Sequence, residues 1–307
     1  MEEIAIIPAK GIGDALLMMI AGSNLARAGH KVSFFHDALG CFQSWSSQIT
    51  FHKKPSDIES LLKFDRLVLE NDNSLFIKEI KKQCSRPVHV FYPSYKANKN
   101  LALTEEDCIF DSSKTMVDNI SFACHKLFNL PINNTLSLEI PSSLKHNKYL
   151  NRVVINPTSQ DPNKNWSKEK FLLLAKKLRK DGFNPVFCMS VTEKKDWLMV
   201  KDYQFELPSF PTLADFASFL FESAYFIGND SGPGHLASYF QIPSLIVSLR
   251  SKHLDLWQPG WKKATLLMPS NWVPNFKFFR FRDAYWQRFV SVNRVYQTFS
   301  ELSDSNC

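Results

Sequence analysis

The 307-residue chain, 44% hydrophobic and 22% charged, has the composition of an ordinary soluble globular protein and the length of two domains. No apolar run approaches the ~20 residues needed to cross a bilayer. Ile4-Ala5-Ile6-Ile7, preceded by Glu2 and Glu3 and broken by Pro8, fails as a signal peptide, so a cytoplasmic location is expected. The formal net charge of +7 favours anionic partners such as nucleic acid, acidic membrane surfaces or phosphorylated substrates, but no nucleic-acid motif accompanies it.

Residues 3–7 read as a buried strand, Pro8 to Asp14 as a loop, Ala15 to Ala28 as a helix stopped by Gly29, and His30 to Phe35 as a second strand. This βαβ opening predicts a parallel, Rossmann-like sheet in an α/β protein. Gly11 and Gly13 form part of a dinucleotide fingerprint whose third glycine is missing, and His36-Asp37 is only a partial match to the acidic residue such a site needs. Both features disfavour a nicotinamide-dependent oxidoreductase. Asp14 puts a carboxylate at a helix start beyond the first strand, where it can cap the helix or serve chemistry.

Further strands are expected at Arg66 to Glu70 and Val88 to Phe91, and helices at Ser74 to Lys82 and Ser113 to Leu130. Lys10, Lys53, Lys54, Lys96 and Lys99 suit either solvated surface or an anionic acceptor. Pro131 to Asn151, rich in Pro, Asn and Ser, marks a boundary between domains.

The α/β pattern then restarts. Arg152 to Asn156 is a strand, Pro157 to Trp166 a polar loop, and Ser167 the N-cap of a helix running to Lys180. In that loop Thr158 and Ser159 offer hydroxyls and Lys164 a mobile charge suited to a diphosphate, while Trp166 suits packing. Asn184 to Met189 is a strand. Glu193 follows it at a helix start, where a carboxylate is favoured by the helix dipole. A helix beginning near Pro211 leads into Ala224-Tyr225-Phe226-Ile227, which stops at Gly228-Asn229-Asp230-Ser231-Gly232-Pro233-Gly234-His235-Leu236-Ala237.

That last stretch is a strand, a tight loop and a helix start. Gly232 and Gly234 permit close backbone approach, Pro233 suits the first helical turn, and the uncapped N–H groups favour a bound anion such as a diphosphate. Asp230, Ser231 and His235 add polar side chains there; the competing reading is a capping turn with a satisfied histidine. Ser251 to Trp261 reads as a loop, and the segment from Asn271 to Phe299 interleaves aromatic and basic residues, with a helix over roughly 282–299. The six cysteines lack C-x-x-C spacing and form no compact Cys/His cluster, so they read as reduced thiols with no metal site.

Gly11-Ile12-Gly13-Asp14-Ala15-Leu16-Leu17-Met18-Met19 and Asp230 to Ala237 followed by Ile242 to Val247 together resemble the two signatures of glycosyltransferase family nine, the heptosyltransferases. The resemblance covers the first 35 residues and about 150–248. It implies the GT-B fold, two Rossmann-like domains facing a cleft: 1–145 on the acceptor side, 146–280 binding the nucleotide sugar, and 281–307 as a C-terminal helix packing back on the N-terminal domain.

The resemblance further implies an inverting, metal-independent glycosyltransferase with no cofactor, whose donor is a nucleotide sugar, first of all ADP-heptose. The acceptor would be a lipopolysaccharide inner core or another anionic saccharide or lipid-linked molecule. Asp14 would be the base, with Lys10, Gly11 and Gly13 in the acceptor-side loop. Thr158, Ser159, Lys164, Glu193, Asp230, Ser231, Gly232 and His235 would bind the donor. The aromatic-basic tail also suits peripheral contact with the cytoplasmic face of the inner membrane. Two alternatives of similar architecture stay open: an inactive nucleotide-sugar-binding relative and a sugar-nucleotide epimerase.

Overall fold

Strands buried on both faces require helices on both sides of a parallel sheet, and the chain meets this requirement twice. The computed structural model describes residues 1–249, 254–270 and 281–305. It divides into two units, Met1–Pro141 with Asp255–Trp257, and Ser142–Leu254 with Gln258–Cys307.

In the first unit the elements are β1 (Glu3–Ile7), α1 (Ile12–Arg27), β2 (Lys31–Phe35), β3 (Ile49–His52), β4 (Arg66–Glu70), α2 (Leu75–Gln83), β5 (Val88–Tyr92), β6 (Asp107–Ile109) and α3 (Met116–Phe128). The strands form one parallel sheet in the order β3-β2-β1-β4-β5-β6. Ile4 to Ile7 of β1 are fully buried, as its central place demands. α1 starts three residues earlier than the apolar pattern indicates: Gly11 is its extended N-cap, and Asp14 lies in its first turn, where the helix dipole favours a carboxylate. β3, β6 and a 3₁₀ segment at Leu39–Trp45 were not expected, because each is too short to show a period.

The second unit contains β7 (Tyr149–Asn156), α4 (Lys168–Lys180), β8 (Asn184–Phe187), α5 (Val191–Lys194), α6 (Leu213–Phe221), β9 (Ser223–Asn229), α7 (Gly232–Tyr239), β10 (Ser244–Val247), β11 (Thr265–Leu267), α9 (Phe281–Ala284) and α10 (Val292–Asp304). A helical turn, α8 (Leu254–Trp257), precedes β11 within the segment expected to be a loop. The parallel sheet runs β11-β10-β9-β7-β8. Ser167 caps α4 by accepting the Lys170 N–H at 3.3 Å, and Thr212 with Asp215 forms a capping box on α6, each closing a helix end as its side chain allows.

The core of this unit is aromatic. Trp166 is 1% exposed and meets the Phe171 ring edge-on at 5.0 Å, so it packs rather than stacks on a ligand. The terminal helix α10 forms, but it belongs to the second unit. Phe299 lies 5.1 Å from the Phe183 ring and 5.3 Å from that of Tyr225, within the core of this unit. Of the aromatic-basic tail, Phe276, Lys277, Phe278, Phe279 and Arg280 lie outside the described residues.

Phe299→Ala removes a fully buried ring from this core. We expect a loss of about 3–5 kcal/mol in the stability of the second unit, read as a lower urea midpoint followed by tryptophan fluorescence.

Candidate active site

In the second sheet the chain leaves β7, passes through α4 to β8 on one side, and returns to β9 on the other. β7 and β9 are therefore neighbours whose following loops diverge, and such a reversal is where open α/β sheets bind ligands. The strands end in register, Asn156 opposite Gly228. Gly228 is required there, because a Cβ would lie 2.8 Å from the Phe226 ring and 2.9 Å from the Asn156 carbonyl oxygen.

Buried asparagines tie the two loops together. Asn229, fully buried, accepts the Trp166 backbone N–H at 2.9 Å and donates to Asn165 Oδ1 at 3.4 Å. Asn156 donates to the Cys188 carbonyl at 2.8 Å. Its Oδ1 accepts from Ser231 Oγ at 3.0 Å. Ser231 is the N-cap residue of α7, yet its side chain makes no capping bond. The hydroxyl that would normally satisfy a first-turn amide is turned back into the sheet end. The positive end of α7 is thus left by its own cap.

His235 lies in this first turn, 5% exposed, and its Nδ1 is buried without a hydrogen-bond partner. Burial holds the imidazole below its usual range, opposed only in part by Asp230, so it is neutral at pH 7. Asp230 pairs with Lys164, Nζ to Oδ2 at 3.5 Å, which joins the loop after β7 to the loop after β9. Thr158, 8% exposed, lies two residues beyond Asn156. Ser159 Oγ is engaged inside its own loop, with Asn165 Oδ1 at 2.7 Å and the Asp161 carbonyl at 2.8 Å.

Thr158, Ser159, Lys164, Asp230, Ser231, Gly232 and His235 are therefore grouped on two interlocked loops. Glu193 follows the next strand, and its carboxylate is used in a capping box, accepting the Ser190 N–H at 3.1 Å.

Residues from the C-terminal segment brace the Lys164 loop. Trp286 Nε1 donates to the Asn163 carbonyl at 2.9 Å, Gln287 Nε2 to that of Asn165 at 2.6 Å, and Trp166 Nε1 to that of Val290 at 3.1 Å. Sequence alone offered no sign of these partners, which lie more than 120 residues away.

The first sheet reverses between β1 and β4, and its loops there carry Asp14 and Glu70. The loop after β1 is pinned from two sides. His36 Nε2 donates to the Lys10 carbonyl at 3.1 Å while its Nδ1 accepts the Ala38 N–H at 3.2 Å. From the other side Glu70 Oε2 accepts the Ala9 N–H at 3.0 Å. The Asp14 carboxylate folds over Gly11, where a Cβ would fall 2.1 Å from Asp14 Oδ2, so a side chain at Gly11 would displace that carboxylate from its present position. Glu70 was visible in the sequence only as the charged end of the apolar run Arg66-Leu67-Val68-Leu69. Among the described residues no group of three or more His, Cys, Asp or Glu side chains is arranged to hold a metal ion.

Two Rossmann-like α/β units in one chain are the parts of a GT-B glycosyltransferase. The sequence profile of glycosyltransferase family 9 (heptosyltransferase) matches residues 97–271, more than half of the chain, and the protein belongs to this family and is a glycosyltransferase. Among solved structures it is similar to Escherichia coli ADP-heptose LPS heptosyltransferase II, at TM-score 0.70 and 17% identity over 99% of both chains. It is also similar to the family 9 glycosyl transferase of Veillonella parvula, at TM-score 0.71 and 14% identity over 99% of this chain and 97% of that one. A third relative is E. coli heptosyltransferase WaaC with ADP, at TM-score 0.68 and 13% identity over 98% and 99% of the two chains. No protein of curated function matches the sequence.

The state of His235 can be read from stability. Its native pKa lies below the unfolded value of about 6.5, so its contribution is present above pH 6.5 and is lost as pH falls through that value towards the native pKa, where the unfolded chain binds the extra proton. His36 and His89 act in the same direction, and Glu70, whose native pKa is raised, acts in the opposite one. The difference between wild type and His235→Gln isolates one group. We expect the variant's unfolding free energy to fall less steeply between pH 6.5 and 5, by up to about 1.4 kcal/mol per pH unit, in denaturant titrations at fixed pH.

Proposed function

We propose that this glycosyltransferase moves a sugar from a nucleoside diphosphate donor, with ADP-heptose the first candidate, to a lipopolysaccharide inner-core or other anionic saccharide or lipid-linked acceptor, with inversion and without a metal. The observation that carries the reading is the start of α7, where Ser231 bonds to Asn156 instead of capping the helix and the buried Nδ1 of His235 has no partner. Such an end suits a diphosphate. The ADP-linked choice draws support from the related E. coli WaaC, whose structures hold ADP and ADP-2-deoxy-2-fluoro heptose.

In this reading Asp14 accepts the proton of the acceptor hydroxyl as its oxygen attacks the anomeric carbon. The bond from that carbon to the diphosphate oxygen breaks, and its electron pair leaves with the nucleotide. The negative charge that grows there is stabilised by the first-turn amides of α7, His235 and Lys164, with Thr158 offering a hydroxyl and Ser159, whose own hydroxyl is engaged by Asn165 and Asp161, shaping the loop. Preorganised donors of this kind do the work that a metal ion does in other transferases. Asp230 holds Lys164 in place. Lys10, Gly11 and Gly13 shape the acceptor side, Glu193 lies beside the nucleoside, and the net charge of +7 suits a phosphorylated acceptor. Reaction at the cytoplasmic face of the inner membrane fits such an acceptor; no described helix is long and apolar enough to cross a bilayer.

Calorimetric titration with ADP, UDP and GDP tests the donor site. We expect selective ADP binding that His235→Ala weakens at least tenfold, the cost of about 1.4 kcal/mol or more for a lost buried hydrogen bond. Asp14→Asn should bind ADP as wild type does and lose about 10²–10⁴-fold in turnover of ADP-heptose. Failure of wild type to bind any of the three nucleotides would sink the reading.

A further inference from the structure

Glu70 is a buried carboxylate whose position the transfer reaction above does not use and which, unlike the buried Asp107 paired with Lys81, has no cationic partner among the described residues. It ends β4 beside the end of β1, with Ile7 opposite Leu69, at the reversal of the first sheet. It is 1% exposed, one oxygen is taken by the Ala9 N–H at 3.0 Å, and the other, Oε1, is buried without a hydrogen-bond partner. The loop it grips runs directly into Gly11, the residue over which the Asp14 carboxylate folds. Accepting a single backbone N–H does not require an ionisable group; an amide side chain would do this without the penalty of burying a carboxyl.

We propose that Glu70 is a positioning residue for Asp14, holding the β1–α1 loop by its bond to Ala9 and sharing with Asp14 an electrostatic pair at the sheet reversal. This rests on the reading of Asp14 as the base. The charged groups that face Glu70 are Asp14 from α1 and Asp72 from the turn after β4, both acidic, and these with burial, the largest cause, push its carboxyl well above the usual carboxylate range. Glu70 is accordingly shifted towards its uncharged form. Neighbouring like charges do not both ionise readily, so a Glu70 held towards its uncharged form leaves the negative charge to Asp14. When Glu70 does ionise at higher pH, it repels the Asp14 carboxylate and loosens the geometry that the loop maintains.

The pair can be followed without substrate by carbon-13 detection of the Glu and Asp side-chain carboxyls together with the Ala9 amide. In wild type the Glu70 carboxyl and the Ala9 amide should titrate with one shared midpoint above the ordinary glutamate range. Asp14→Asn removes the neighbouring negative charge, and that midpoint should then fall by about one pH unit. An unchanged midpoint in Asp14→Asn, or an Ala9 amide that ignores the Glu70 titration, would overturn the proposal.

Turnover gives a second readout, as ADP released from ADP-heptose with an inner-core lipopolysaccharide acceptor. Glu70→Gln, which keeps the shape and the acceptor for Ala9, should retain kcat within about threefold near pH 6.5 and lose the alkaline fall that wild type shows. Glu70→Ala should lower kcat about 10- to 100-fold with ADP affinity unchanged. Equal pH profiles in wild type and Glu70→Gln would count against the proposal even if Glu70→Ala fails to fold. Wild type without any ADP release, or an Asp14→Asn variant with full turnover, would reject the assignment of the base and leave the link between Glu70 and Asp14 to the carboxyl titration.

Discussion

A parallel sheet must carry every connection over one of its faces, and where the direction of winding reverses, two neighbouring strands send their loops apart. The backbone groups at that point cannot be satisfied by the sheet itself. Both units of this protein carry their candidate site residues there: between β7 and β9 in the second unit and between β1 and β4 in the first. The apolar strands build a stable frame, and the reversal supplies the gap. What fills the gap is decided by a few polar residues at strand ends.

In the second unit those residues are Asn156, Asn229 and Ser231. A buried asparagine offers two donors and an acceptor of limited reach, and here these groups bond to the neighbouring loop and strand. The network fixes the loops after β7 and β9 relative to each other and draws the Ser231 hydroxyl away from α7. A cap on that helix would add stability of about 1 kcal/mol and would occupy an N–H group of its first turn. The fold forgoes that contribution, as sites built for a ligand commonly do. The bracing by Trp286, Gln287 and Val290 makes the Lys164 loop depend on the C-terminal segment.

Much of this was legible in the sequence because it rests on local chemistry. The apolar runs of β1, β4, β7 and β9, the N-cap Ser167 and the Gly-Pro-Gly turn before His235 all act within a few residues of themselves. What escaped notice acts over distance. The early start of α1 follows from Gly11 adopting an extended cap conformation, which an apolar period does not register. β3 and β6 pair at the sheet's flanks over four and three residues, too few for alternation to stand out. Glu70 reads as a strand's polar end until the sheet order sets β4 beside β1, and Asn156 reads as another strand end and Asn229 as a loop residue until the strands that end with them prove adjacent. The terminal helix was visible from its amphipathic pattern, but the partner of Phe299 was not, because an apolar stripe specifies that a face is buried and not against what.

Glu70 and His235 illustrate one principle from opposite signs of charge. Each is a titratable group taken out of water at a sheet reversal, each is driven by burial towards its uncharged form, and each keeps one polar atom without a partner. A buried polar group left unpaired costs about 1–3 kcal/mol, a large share of the stability of a domain. Packing alone would favour leucine or glutamine in both places. The cost is consistent with roles that need a neutral group: at His235 a buried ring nitrogen beside an uncapped helix start, able to meet an anion without carrying a fixed charge, and at Glu70 a carboxyl that grips a loop without competing with Asp14 for the negative charge. The two groups thus set the polarity of their sites by withholding charge, leaving the helix start of the second unit and the aspartate of the first as the places where charge is expressed.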